Sequence, residues 1–230
     1  MAPRYFHLAF DQAFRNSGWA LLEWVTSDKK AVYIESGVFS PKVKVGFGGD
    51  TIAFLEHMAF IKEKIKQVKD IGTLRSIACE GVAIGAVGQA AARGGVFGIY
   101  SVFASQSADT IIISPKTMKA YITGSGSAEK EEIEHIVCEK YGIKREFKTK
   151  KDHEMFLNET DAVALAEIGL YAWRVINYGI KIVEKEVEPH QAGILWSESI
   201  SKPATKTRPS KMRGICNRID EFYIFNRGKA

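Results

Sequence analysis

The hydrophobic pattern of this chain changes period several times, and each change marks an element. Residues 5–10 (YFHLAF) form a short apolar run closed by Asp11, which predicts a first strand. After a turn at 12–18, residues 18–25 and 31–39 are rich in Val, Ile, Trp and Leu and predict two more strands of an antiparallel meander. Residues 41–49 hold three glycines and read as a loop. Asp50 then opens a helical pattern in which Leu55, Met58, Ile61, Ile65 and Val68 recur at three- and four-residue steps. Residues 73–79 predict a fourth strand that delivers Glu80. A Gly- and Ala-rich stretch, 81–104, predicts a helix after its first residues, and 109–114 a fifth strand. Pro115 opens a short helix. Ser127 opens another, with Ile133, Ile136, Val137 and Tyr141 on its inner side. A long apolar helix follows from about 158 to 178. This order predicts an α/β protein with a mixed five-stranded sheet and helices on both faces.

Composition narrows the class. At 230 residues with 46% hydrophobic content, the chain suits one large domain with a tail. The boundary is expected near residue 180. Residues 181–230 are read as an extension whose KPATKTRPSKMRG segment is basic and poor in apolar residues. Its Lys206, Arg208, Lys211 and Arg213 are candidates for contacts to a DNA backbone. The net charge of +5 permits a polyanionic partner. Cys79, Cys138 and Cys216 form neither a disulfide framework nor a zinc pattern, which points to a reducing compartment. No apolar run approaches a membrane span, so the expected setting is soluble, intracellular and cytoplasmic, with no membrane partner.

Three acids stand at element ends. Asp11 and Glu80 each close a strand-like run, and Asp161 opens the last apolar helix. Each has an ordinary reading by itself. An Asp after a strand forms turns, and an acid in a first helical turn is favoured by the helix dipole. Glu80 directly after SIAC needs pairing, solvent or a cation. In open sheets chemistry gathers at strand ends and neighbouring helix starts. If the fold brings the three together, the cluster suits a hard divalent cation. Ser125 and Ser127, with Gly126 between them, are candidates to offer N–H groups to a phosphate at the following helix start.

With these residues in view, the sequence resembles the RuvC-type Holliday-junction resolvases. FDQAFRNSGWALLE is similar to the family's first-strand motif, in which an Asp ends the strand and a Gly–aromatic pair starts the next. SPKTMKAYITGSGSAEKEEIEHIV follows the family's segment nearly step for step, and TDAVALAE resembles its last-helix motif. The likeness spans roughly residues 5–175 and excludes the tail. It implies an RNase H-like fold and a metal-dependent endonuclease that cuts four-way junctions, leaving 5′-phosphate and 3′-hydroxyl ends. It also implies two Mg²⁺ ions about 3.5–4 Å apart, replaceable by Mn²⁺, held by Asp11, Glu80 and Asp161. The family's fourth metal position falls on Asn158 and its active-site lysines on Lys119 and Lys130; Lys116 joins the DNA-contacting set. The implied partners are branched DNA and a second copy in a C₂ homodimer, with 84–104 and 164–176 as candidate interface stretches.

Two departures accompany the resemblance. The family most often has Asp or His at the position of Asn158, and Asn158 also reads as the N-cap of the last helix. After Glu80 the chain runs GVAIGAVG, without the family's usual aromatic wedge. Three other functions therefore stay open: an RNase H-fold nuclease with relaxed branched-DNA specificity, an actin- or sugar-kinase-like ATPase, and a non-catalytic junction-binding module.

Overall fold

The computed structural model of the chain describes residues 3–42, 49–81 and 90–196. The basic tail positions Lys206, Arg208, Lys211 and Arg213, and the residues that follow Gly81 up to 89, lie outside that set. The strands are β1 (Tyr5–Asp11), β2 (Ser17–Val25), β3 (Lys30–Phe39), β4 (Thr73–Glu80) and β5 (Asp109–Ile113). The helices are α1 (Gly49–Ile71), α2 (Ala90–Ser105), α3 (Pro115–Thr123), α4 (Lys130–Tyr141), α5 (Lys150–Tyr178), α6 (Ile180–Val183) and α7 (Pro189–Leu195).

The five strands form one sheet in the order β3-β2-β1-β4-β5. The first three pair antiparallel, whereas β4 joins β1 and β5 joins β4 in parallel. The mixed five-stranded sheet follows from the meander and from the helical crossovers through α1 and α2. Period-two alternation along β1 and β4 then sorts the side chains. Phe6, Leu8, Phe10, Ile77 and Cys79 enter the core shared with α1 and α2. Ala9, Ala20 and Ala78 face the other core, built on α5 with α3, α4, α6 and α7. Asp11 and Glu80 follow Ala9 and Ala78 by two residues and so share the α5 face.

That face is lined by small residues because α5 lies close against it. A Cβ on Gly18 would collide with the Asn158 carbonyl, and one on Gly169 would stand 2.6 Å from the Ala78 Cβ. Nearly every residue of α5 from Phe156 to Val175 is buried, so the helix is enclosed on all sides and its Glu159, Asp161, Glu167 and Arg174 lie inside the protein. Among the described residues no helix is long and apolar enough to cross a membrane.

Three expectations change. The last helix begins at Lys150 rather than at 158. Thr149 caps it, its hydroxyl accepting from the Asp152 N–H while the Asp152 carboxylate accepts from the Thr149 N–H. Leu55 is 57% exposed, and the inner face of α1 is Ala53, His57, Ile61, Ile65 and Val68. Past residue 180, Val183, Ile194 and Leu195 join the α5 core and Arg174 pairs with Glu186 at 2.8 Å. The 164–176 stretch is interior to the protomer and so is unavailable as a subunit interface.

Candidate active site

Strand and helix geometry bring the three acids within electrostatic reach of one another. Asp11 ends β1, where its register partner is Gly18. Glu80 ends β4, one step past the last β1 pair, Phe10 with Cys79. Asp161 lies about three turns inside α5. It is not a first-turn acid, so the helix dipole does not account for it. Asn158 is likewise interior to the helix, and the cap it resembled is supplied by Thr149.

The acids act on one another. Burial, then the charges of Glu80 and Asp161, hold the Asp11 carboxyl well above the usual range, and Asp11 is hydrogen-bonded to Glu80. Burial also raises Glu80; the Asp11 bond pulls the other way, and Asp161 adds to the rise. Both carboxyls of the pair are thus held above their ordinary range by burial and by each other or Asp161. Burial raises Asp161 against the opposing charges of Lys130 and Lys119.

Two lysines complete the cluster. The Lys130 ammonium lies 2.5 Å from Asp161 Oδ2 and 3.0 Å from Asn158 Oδ1. Burial pulls its pKa down, but Asp161, Asp11 and Glu80 outweigh that and leave it raised. Lys119 donates to the Ala128 carbonyl at 2.6 Å, closing the turn that leads into Lys130. Its charge acts to lower both Glu80 and Asp161.

The neighbouring DNA-contact candidates are more peripheral. Lys116, Ser125 and Ser127 are exposed. The Ser125 N–H donates to Thr123 Oγ1 at 3.1 Å and the Ser127 N–H to Ser125 Oγ at 3.4 Å, so both donors are already engaged. Helix α4 starts at Lys130, not Ser127, with Glu131 and Glu132 in its first turn. Ser125 and Ser127 thus stand in the turn before α4 rather than in its first turn.

The residues fit a hard divalent cation. All the donors are carboxylate or amide oxygens, and Asp161 Oδ1 is buried with no hydrogen-bond partner. Among the described residues, no three His, Cys, Asp or Glu side chains are already drawn around a single point. Lys130 pairs with Asp161 beside the other two acids. Sequence reasoning missed Gln12, whose side chain bonds both main-chain groups of Glu80. Its adjacency to Asp11 was the only sequence signal.

No family model matches the chain, and no curated protein matches it in sequence. Among solved structures, Thermus thermophilus RuvC superposes with a TM-score of 0.54 and 16% identity, over 75% of this chain and 95% of that one. T. thermophilus RuvC in complex with Holliday junction substrate gives 0.53 and 17%, over 71% and 90%. The yeast mitochondrial Holliday junction resolvase Ydc2, at 0.48 and 10% over 80% and 85%, is too loose a match to carry an argument. The chain has the RNase H-like fold of RuvC, with Asp11, Glu80 and Asp161 converging on the α5 face of its sheet.

Proposed function

We propose that the protein is a metal-dependent, structure-specific DNA endonuclease that resolves four-way junctions. The observation that carries this reading is the convergence of Asp11, Glu80 and Asp161, with its orphaned Oδ1, beside Lys130 on a RuvC fold. Divalent cations, Mg²⁺ or Mn²⁺, would supply an activated water for in-line attack on the phosphate and charge stabilisation for the departing 3′ oxygen.

The chain's own residues do the rest. Asp11 and Glu80 would present hard carboxylate oxygens to the cation. Asp161 adds the free Oδ1. Lys130, already inside the cluster, offers a compact positive charge to the scissile phosphate. Lys119 holds the approach to Lys130 and adds its own charge. Asn158, neutral and bonded to Lys130, orients that ammonium and is a weak metal donor at most. Lys116 and the tail residues Lys206, Arg208, Lys211 and Arg213 contact the DNA backbone.

A two-fold junction needs paired cuts, which a C₂ homodimer delivers. Of the two candidate interface stretches, α2 remains: Gly94 and Gly98 have open space outside them and Val102 is 52% exposed. The test is single-turnover cleavage of a panel of four-way, Y-form and linear DNA in Mg²⁺. Preferential cutting of the four-way substrate is expected. Equal cutting of Y-forms would favour relaxed branched-DNA specificity, and binding without cutting would leave a non-catalytic module.

A further inference from the structure

Gln12 leaves β1 directly after Asp11, and its side chain crosses to β4. Oε1 accepts from the Glu80 N–H at 3.1 Å, and Nε2 donates to the Glu80 carbonyl. The main-chain pairing of β1 with β4 stops at Phe10 and Cys79. A carboxamide carries the same donor and acceptor as a peptide group, so the Gln12 side chain continues the ladder by one rung. On the opposite edge Glu80 is in register with Ile113, and the Gly81 N–H donates to the Ile113 carbonyl at 2.7 Å. The main chain at Glu80 is therefore tied from both sides.

Gln12 is itself held. Asp11 before it pairs with Gly18. The Ala13 N–H after it donates to Ser17 Oγ at 3.0 Å, and that hydroxyl donates back to the Ala13 carbonyl at 2.7 Å. The next carbonyl, of Phe14, meets His57 Nε2 at 3.2 Å, and the Phe14 ring packs on Phe54. A turn anchored at successive residues to β2 and α1 projects one amide onto one strand end.

We infer that Gln12 is a positioning residue: its amide fixes the Glu80 main chain relative to Asp11 and so sets the spacing of the two carboxylates. The last residue of a strand normally frays. Two buried acids that repel would drift apart by that route. With the strand end clamped, the two carboxylates keep one separation. This inference rests on the proposed metal-dependent reading of the same site.

The test uses Gln12→Met, similar in length but without an amide, and Gln12→Ala in case the first variant folds poorly. Mn²⁺ binding to the metal-free, full-length protein is followed by electron paramagnetic resonance, with hydrogen exchange of the Glu80 amide alongside. Junction affinity is measured in Ca²⁺, and the cleavage rate as a function of Mg²⁺. Both variants should expose the Glu80 amide to faster exchange and bind Mn²⁺ about tenfold more weakly, the usual effect of removing an outer support. Junction affinity should hold, and high Mg²⁺ should restore much of the rate. A variant that exchanges faster at Glu80 yet binds Mn²⁺ like wild type overturns the inference, leaving Gln12 as a strand-end cap, while the nuclease reading survives. Wild-type protein that neither binds Mn²⁺ nor cuts would sink that reading and the inference with it.

Discussion

Gly18 and Asn158 are in direct contact, the Asn158 carbonyl occupying the place where a Gly18 Cβ would be. Gly18 is also the register partner of Asp11, and Asn158 is one helical turn before Asp161. This contact therefore sets how near α5 brings Asp161 to Asp11. Gly18→Ala must push the helix outward against a rigid backbone, and should destabilise the fold by about 1–3 kcal/mol, as overpacking does. Cleavage should fall more than stability alone explains. Gly98→Ala, which meets open space, should leave unfolding midpoints unchanged or raised, because Ala favours helix. Denaturant titration of both variants tests the contrast.

The acid cluster makes the metal-free protein sensitive to pH. Asp11, Glu80 and Asp161 all have raised pKa values, so the folded state keeps protons that the unfolded chain releases. The stability they contribute is complete below the ordinary carboxylate range, about 4, and is lost as pH climbs through the raised values. Asp11→Asn has no such proton to lose. Its melting temperature should match wild type near pH 4 and exceed it increasingly toward pH 8. Calorimetry in a chelating buffer checks this; parallel curves would mean that neither burial nor the neighbouring acids raise the Asp11 carboxyl.

Lys119 and Lys130 should act on rate. Either one changed to Ala should cut the single-turnover rate strongly while junction affinity changes little, since both sit with the acids. Replacing Lys206, Arg208, Lys211 and Arg213 together should weaken binding and flatten its salt dependence. If all these variants change affinity alone, the two lysines are backbone contacts and not part of the chemistry.

Asn158 and Thr149 can be separated by experiment. Thr149→Ala removes the cap of α5 and should cost about 0.5–2 kcal/mol without altering the Mg²⁺ requirement. Asn158→Ala loses no cap and frees one side of Lys130, so it should raise the Mg²⁺ concentration for half-maximal cutting with little thermal effect. Asn158→Asp adds a charge that attracts a cation, and should lower that concentration. An unchanged requirement in both Asn158 variants would remove this residue from the site.

What the sequence disclosed follows from where periodicity is strong. The richness of 18–25 and 31–39 in Val, Ile, Trp and Leu and the apolar run before Asp11 sufficed for the strands, and Pro115 marked the start of α3. The start of α5 was hidden because Lys150, Lys151, Asp152, His153 and Glu154 are polar on every side and read as a basic loop. The Thr149–Asp152 spacing carried the missing signal, whereas Asn158 and Asp161 imitated a cap at the wrong place. On α1, Leu55 fits a helical repeat as well as Ala53 does, so the pattern alone chose the wrong face. Asp11, Glu80 and Asp161 were legible because charge at the end of an apolar run is unusual. Gln12 was not, since a side chain that mimics a peptide leaves no pattern.

The central claim is most directly tested by mapping nicks on end-labelled four-way junctions incubated with the full-length protein in Mg²⁺, beside Asp11→Asn. The account predicts paired nicks at symmetric positions in opposing strands, carrying 5′-phosphate ends, and none with Asp11→Asn, which should still bind the junction. Cutting by Asp11→Asn at the wild-type rate, or no junction cleavage by the wild-type protein in Mg²⁺ or Mn²⁺, would contradict it.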